Sequence, residues 1–266
     1  MRTVVATRYV TPLREGGSLP AVVEADDDGL YVVKFRGAGQ GPKALVAEVI
    51  AGEIGRALGL LVPELVGVEL DPALARAEPD PEIHDLLVAS AGLNLGVDFL
   101  PGALALAAPT DLTPNPALAA DVVWFDAYVS NVDRTPRNPN FLLWHGRLWL
   151  IDHGAALYPH HGWSDDVEVR DQLAVSRFPR IRDHVLLPVA GPLRDADTRL
   201  APRLTAAVIH AIVAEVPDEW LAAQPPYPTP AAHRDAYTAY LMRRLAEPRG
   251  FVEEAEDGRL AVSRPR

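Results

Sequence analysis

Cysteine is absent from the 266 residues, which excludes disulfide frameworks and thiolate chemistry and makes a cytoplasmic location the expectation. No apolar run approaches the length of a membrane-spanning helix, and the opening MRTVVATRYVTPLREGG lacks the apolar centre of a secretory signal. Positive charge is also short: 25 basic against 36 acidic residues leave a net charge of -11. That balance argues against a broad nucleic-acid or anionic-membrane surface, while leaving room for a local basic pocket. Lysine is scarcest. Of the basic residues only Lys34 and Lys43 are lysines. In a chain that otherwise uses arginine, a compact ammonium kept inside the strand-like run GLYVVKF needs a reason, because the two side chains are not interchangeable.

What is present reads as a globular chain, 48% hydrophobic, long enough to bury a substantial core. Residues 3–36 have the short β-branched runs of an antiparallel region, PAVVEA and LYVVKF, joined by the turn sequence DDDG. GPKALVAEVIAGEIGRALGLLVP predicts a helix opened by Pro42 and ended at Gly59, with Pro63 barring continuation. Strands are expected over 64–70 and 94–100, with the Pro- and Asp-rich segment between them as a loop. Asn115 and Pro116 start a helix whose Leu118, Val122, Phe125 and Val129 share one face. FLLW and LWLI around HGR predict a β-hairpin. Helices follow at about 202–216 and 230–246, and the tail from Pro248 shows no clear period. The expected class is α+β with two lobes: a β-rich lobe over 1–103 carrying one helix, and a helical lobe over 104–266. A cleft between such lobes is a natural ligand site.

The segment NVDRTPRNPNFLLWHGRLWLIDHGAAL (131–157) concentrates polar chemistry at both ends of that hairpin. Pairing 141–144 with 148–151 returns the chain to its start, so Asp133, Asn138 and Asp152 converge. Phosphoryl transfer needs such a set: a carboxylate to orient a hydroxyl, oxygen ligands for Mg²⁺, and a lysine, steadied by a helix-borne acid, on the phosphates. Asp133 is the candidate base, Asn138 and Asp152 the candidate metal ligands, and Lys34 and Glu48 the candidate phosphate pair. Asn140 is an alternative ligand, and Glu53 competes with Glu48 for the lysine. The Asp-to-Asn spacing of five, then a hairpin and Asp-x-Gly, is a kinase catalytic-loop pattern.

NVDRTPRNPNFLL and LIDHGAAL resemble the HipA-like kinases, whose loop reads Asn-x-Asp with Asn five residues after the Asp. YVVKF, the Glu48-bearing helix and ALGLLVPE are similar to that family's lysine strand, acidic helix and exit. The resemblance covers roughly 30–160, favours Glu48 over Glu53, and implies a two-lobed protein-kinase-like fold. It implies ATP and Mg²⁺ as cofactors and a protein Ser/Thr, or the chain itself, as hydroxyl acceptor. Gly16, Gly17 and Ser18 in REGGS are the candidate phosphate cover, with RGAGQG (36–41) as the other glycine-rich segment. Phe99 and Leu100, just before the passage between lobes, are candidate nucleotide contacts. The sequence departs from eukaryotic protein kinases at Asn131-Val132, where those enzymes carry His-Arg. It departs again at His153, where they carry Phe, and no Ala-Pro-Glu signature follows.

Two other functions fit parts of the pattern. A nucleotide-binding pseudokinase scaffold would keep the fold without turnover. A metal-dependent phosphohydrolase would use His153, His160 and His161 with Asp152, Asp165 and Asp166, and the pairs His84-Asp85 and Asp183-His184 suit it too, although YPHHGWSDD lacks the helical i, i+4 spacing of a metal pair. Asp133 and Asn138 alone would read as turn formers. Arg134 reads either as a phosphate contact or as half of an ion pair that locks the loop.

Overall fold

The computed structural model describes residues 1–13, 19–38, 41–106, 114–221 and 226–262. Gly16, Gly17 and Ser18 lie outside the described residues.

Five strands close into a barrel: β1 (Thr3–Pro12), β2 (Ala21–Ala25), β3 (Leu30–Lys34), β4 (Leu65–Leu70) and β5 (Gly92–Asp98), in the order β1-β2-β3-β5-β4. β1 pairs antiparallel with β2 and parallel with β4, and that second pairing closes the sheet. Alternation along the strands puts Val4, Val23, Tyr31, Val33, Val66 and Val68 inside, which leaves no sheet edge to cover. The interior is tight at Gly96, where a Cβ would come within 2.6 Å of Val68 Cγ2 and 2.9 Å of Val66 Cγ2.

Between β3 and β4 runs α1 (Pro42–Ala57). Pro42 occupies its first turn, and the helix ends as expected at Gly59. There φ is +82°, Leu60 N–H donates to Gly55 O at 3.0 Å, and Gly59 N–H donates to Arg56 O at 2.9 Å. The segment between β4 and β5, expected to be a loop, is instead a 3-10 turn (Pro72–Ala77) followed by α2 (Pro81–Ala89). Asp80 caps α2 by accepting from Glu82 N–H, so its Asp-Pro pair is a helix start rather than a turn.

After β5 the chain crosses to a second sheet of β6 (Leu104–Ala105), β7 (Phe141–Trp144) and β8 (Arg147–Leu150), in that order. The expected hairpin is β7–β8, but its turn is His145-Gly146 alone, so Arg147 joins the strand and Phe141 lies opposite Leu150, one residue short of the expected pairing of 141–144 with 148–151. Around it pack α3 (Pro116–Tyr128), α4 (Val167–Ala174), α5 (Leu193–Leu200), α6 (Ala206–Ala214), α7 (Asp218–Leu221), α8 (Pro230–Leu245) and α9 (Gly250–Val262). α3 is buried from Val122 through Tyr128, as a helix apolar on all sides should be. The tail left without a period is helical: α9 buries Phe251, Val252 and Ala255, but Glu254 and Gly258 interrupt that face. The architecture is the α+β, two-lobed arrangement expected from the sequence.

Candidate active site

Lys34 ends β3 with its ammonium at the junction of three elements. Nζ lies 2.7 Å from Glu48 Oε2 on α1 and 2.6 Å from Asp152 Oδ1 just past β8. Glu53, the competing acid, pairs instead with Arg56 at 3.5 Å. Burial alone would lower the Lys34 ammonium, but Glu48 and Asp152 outweigh it and hold its pKa above the ordinary lysine value. The Glu48 carboxyl is likewise held below its usual range: burial would raise it, and Lys34 and His153 reverse that. His153 Nδ1 stands 3.6 Å from Glu48 Oε1, so neighbouring residues of Asp152-His153-Gly154 reach Lys34 and Glu48.

Asp133 sits beyond α3. Its backbone N–H donates to Asn131 Oδ1 at 3.0 Å, and its Oδ2 accepts from Asn138 Nδ2 at 2.6 Å and Asn140 Nδ2 at 3.3 Å. Half-burial pushes its carboxyl pKa up. The Asn140 hydrogen bond opposes that rise, and the Asp152 charge reinforces it. Asn140 and Asp152, at opposite ends of the hairpin, both hold left-handed backbone (φ +54° and +57°). Non-glycine residues rarely adopt this conformation, and it concentrates at functional sites.

Beneath the loop lies a buried network. Arg134 and Asp126 side chains are both 0% exposed and meet at 2.6 Å, Nε to Oδ2. Asp126 also accepts from Asn131 Nδ2 at 2.9 Å and contacts His184 Nε2 at 2.9 Å. His184 Nδ1 accepts from Leu186 N–H, so Nε2 carries the proton and donates to Asp126. Arg134 Nη1 donates to Asn140 O at 2.5 Å, and its guanidinium lies 4.9 Å from the centre of the Phe141 ring. Of the two readings of Arg134, the ion pair is the one formed. Sequence reasoning missed Asp126, and it noted His184 only as part of the Asp183-His184 pair of the phosphohydrolase reading. An acid within the apolar run VVWFDAYV was a usable signal for Asp126; nothing local ties His184 to it.

Phe99 and Leu100 lie further along the barrel. Lys34 pairs with Leu95, so Phe99 stands roughly 13 Å along β5 from that partner. Phe99 N–H donates to Leu30 O at 3.0 Å, and Leu100 is buried. Of the histidines and acids of 158–166, His160, His161 and Asp166 make structural contacts, His160 Nε2 and His161 Nε2 lying 3.2 Å apart. His160 Nδ1 contacts Tyr237 Oη at 3.1 Å, and Asp166 caps α4 through Glu168 N–H at 2.8 Å. Among the described residues no group of three or more His, Cys, Asp or Glu is arranged to hold a metal.

The model of one family, the HipA-like kinases, matches residues 7–251. The chain belongs to the HipA-like kinase family. Solved structures agree on the fold. The Helicobacter pylori proinflammatory kinase CtkA superposes with a TM-score of 0.53 at 15% identity, over 97% of this chain and 98% of that one. A Golgi casein kinase superposes with a TM-score of 0.50 at 14% identity, over 97% of this chain and 72% of that one. No curated protein matches significantly. As a HipA-like kinase the chain is a kinase-type phosphotransferase. No described helix is long and apolar enough to cross a membrane.

Proposed function

We propose that this HipA-like kinase moves the γ-phosphoryl group of ATP, with Mg²⁺, to a hydroxyl of a protein Ser/Thr or of the chain itself. The observation that carries the reading is the Lys34 ammonium held between Glu48 and Asp152, at 2.7 and 2.6 Å, beside the doubly hydrogen-bonded Asp133. The nucleotide would lie between a β-rich lobe ending near Ala103 and the helical lobe after it, its base toward Phe99 and Leu100 and its phosphates toward Lys34.

The donors fit Mg²⁺, which takes hard oxygen ligands. Asp152 is half exposed, and its Oδ2 makes no hydrogen bond with the described residues. Asn138 commits its amide nitrogen to Asp133, and its side-chain oxygen makes no hydrogen bond with the described residues. Asp152 and Asn138 would hold the ion, which when bound neutralises charge on the phosphate oxygens. Lys34 steadies the phosphates, and Glu48 fixes the direction of Lys34. Asp133 orients the acceptor hydroxyl and takes its proton as that oxygen bonds to the γ-phosphorus and the bond to the bridging oxygen breaks, releasing ADP. A raised Asp133 pKa suits this role, because a base works best with its pKa nearer the working pH.

Incubation with γ-labelled ATP and Mg²⁺ tests the proposal. Label on protein hydroxyls, or on an added protein acceptor, is expected. Nucleotide binding with no transfer to any protein would mark a scaffold instead.

A further inference from the structure

We propose that residues 201–221 form an internal clamp on α1, and that Trp220 is a positioning residue that keeps Glu48 against Lys34; the catalytic part of this rests on the function proposed above. The clamp begins at the end of α1, where Arg203 Nη1 donates to Leu58 O at 2.8 Å. α6 then packs along α1, with Ile209 and Val213 buried. α7 packs there too and buries Trp220 completely. The Trp220 indole Nε1 donates to Leu93 O at 3.0 Å on β5, the strand that pairs with Lys34 through Leu95. One side chain therefore joins the element packed on the Glu48 helix to the sheet that carries the lysine.

Further pairs fasten the same segment. Glu215 meets the Met1 ammonium, and Glu219 lies 3.6 Å from Arg36 Nη1, just past β3. Arg234 of α8 holds the connecting corner through Val216 O and Asp218. At the other end of α1, Lys43 Nζ donates to His160 O at 3.0 Å, fixing the first turn to the segment after Asp152.

The consequence is mechanical. Kinases are commonly switched by moving the helix that carries the lysine's acid partner. Here that helix is gripped at both ends and along one face by the chain's own second lobe. α1 cannot swing without breaking Arg203–Leu58 and Lys43–His160 and opening the α6 and α7 contacts. The Lys34–Glu48 pair is thereby set by folding rather than by a partner.

Trp220→Phe keeps a ring and removes the N–H donor; Arg203→Met keeps the stem and removes the fork. Hydrogen exchange on the full chain should show α1 amides opening roughly fivefold faster in either variant, with α9, which packs away from the clamp on α3 and α5, unchanged, for the loss of about one hydrogen bond. Transfer should fall by a similar factor in kcat with little change in KM for ATP. In a Glu48→Gln background neither substitution should lower kcat further. Unchanged α1 exchange overturns the clamp, whether or not the chain transfers phosphate. An equal kcat loss in both backgrounds overturns the positioning role and leaves Trp220 a packing residue. A Trp220→Phe chain that fails to fold would overturn the positioning role by making Trp220 a packing residue, and Arg203→Met would then decide the clamp alone.

Discussion

Two polar clusters lie within a few residues of each other and are built to opposite rules. In the cleft, Lys34, Glu48, Asp133 and Asp152 combine strong pairing with partial access: Glu48 is buried, Lys34 and Asp133 are partly open, and the Asp152 side chain is 50% exposed. Under the loop, Asp126, Arg134, Asn131 and His184 are buried and bonded chiefly to one another and to backbone. The accessible cluster retains carboxylate and amide oxygens that a substrate or ion can use. The buried one fixes where Asp133 and Asn140 sit: Asn131 Oδ1 accepts from Asp133 N–H on one side, and Arg134 Nη1 donates to Asn140 O on the other. Acidic residues of similar chemistry thus divide into Asp133 and Asp152, which keep some exposure to solvent, and Glu48 and Asp126, which are buried against their cations.

The largest effect should come from breaking the buried cluster. Arg134→Ala leaves Asp126 as a buried carboxylate without its ion partner and should cost about 3–5 kcal/mol of stability, seen as a large drop in melting temperature. A change under 1 kcal/mol would mean the network is not structural. Asp133→Ala should do the reverse. Turnover should fall by roughly a thousandfold, the scale of general-base catalysis, with the melting temperature nearly unchanged. Phosphoryl transfer at the wild-type rate would reject Asp133 as the base.

A pH titration sharpens the contrast further. Burial lowers the pKa of His184, against the opposing pull of Asp126, and lowers that of His160 further, so the fold favours the neutral form of both more than the unfolded chain does. As pH falls through 6.5 the unfolded chain takes up protons that the fold refuses. Stability should therefore fall with falling pH, by up to about 1.4 kcal/mol per pH unit for each histidine. The depressed Asp126 pKa, whose burial cost is outweighed by Arg134, adds stability that is lost only in stronger acid, below 3.8. A melting temperature that holds or rises from about pH 7.5 to pH 5.5 would contradict neutral burial. The smallest effect belongs to Asn140→Ala. It removes the longer of the two Asp133 hydrogen bonds and should lower kcat by about fivefold, the worth of roughly 1 kcal/mol. No loss would show that Asn138 holds Asp133 alone.

Much of the accessible cluster was legible because its chemistry leaves local marks. A lone lysine in a strand, Asp and Asn five apart, and Asp-x-Gly after a hairpin are all short-range marks; hairpin pairing joins the last two, and packing of the barrel against the second sheet brings Lys34 to Asp152. α1 was legible for the same reason, through Pro42 and Gly59. The buried cluster was only partly legible: His184 is 58 residues from Asp126 and meets it only through the fold. α2 was misread because Asp-Pro serves both turns and helix starts. α9 was misread because Glu254, paired with Arg177 and Arg182, occupies part of its buried face. The clamp is a long-range contact with no local signature.

The central claim is that Lys34 and Asp152 serve one nucleotide tail, and calorimetry of ATP binding with and without Mg²⁺ tests it most directly. Wild-type protein should gain affinity on adding the ion, and Asp152→Asn should lose that gain while keeping its fold. An equal gain in both proteins would contradict the account.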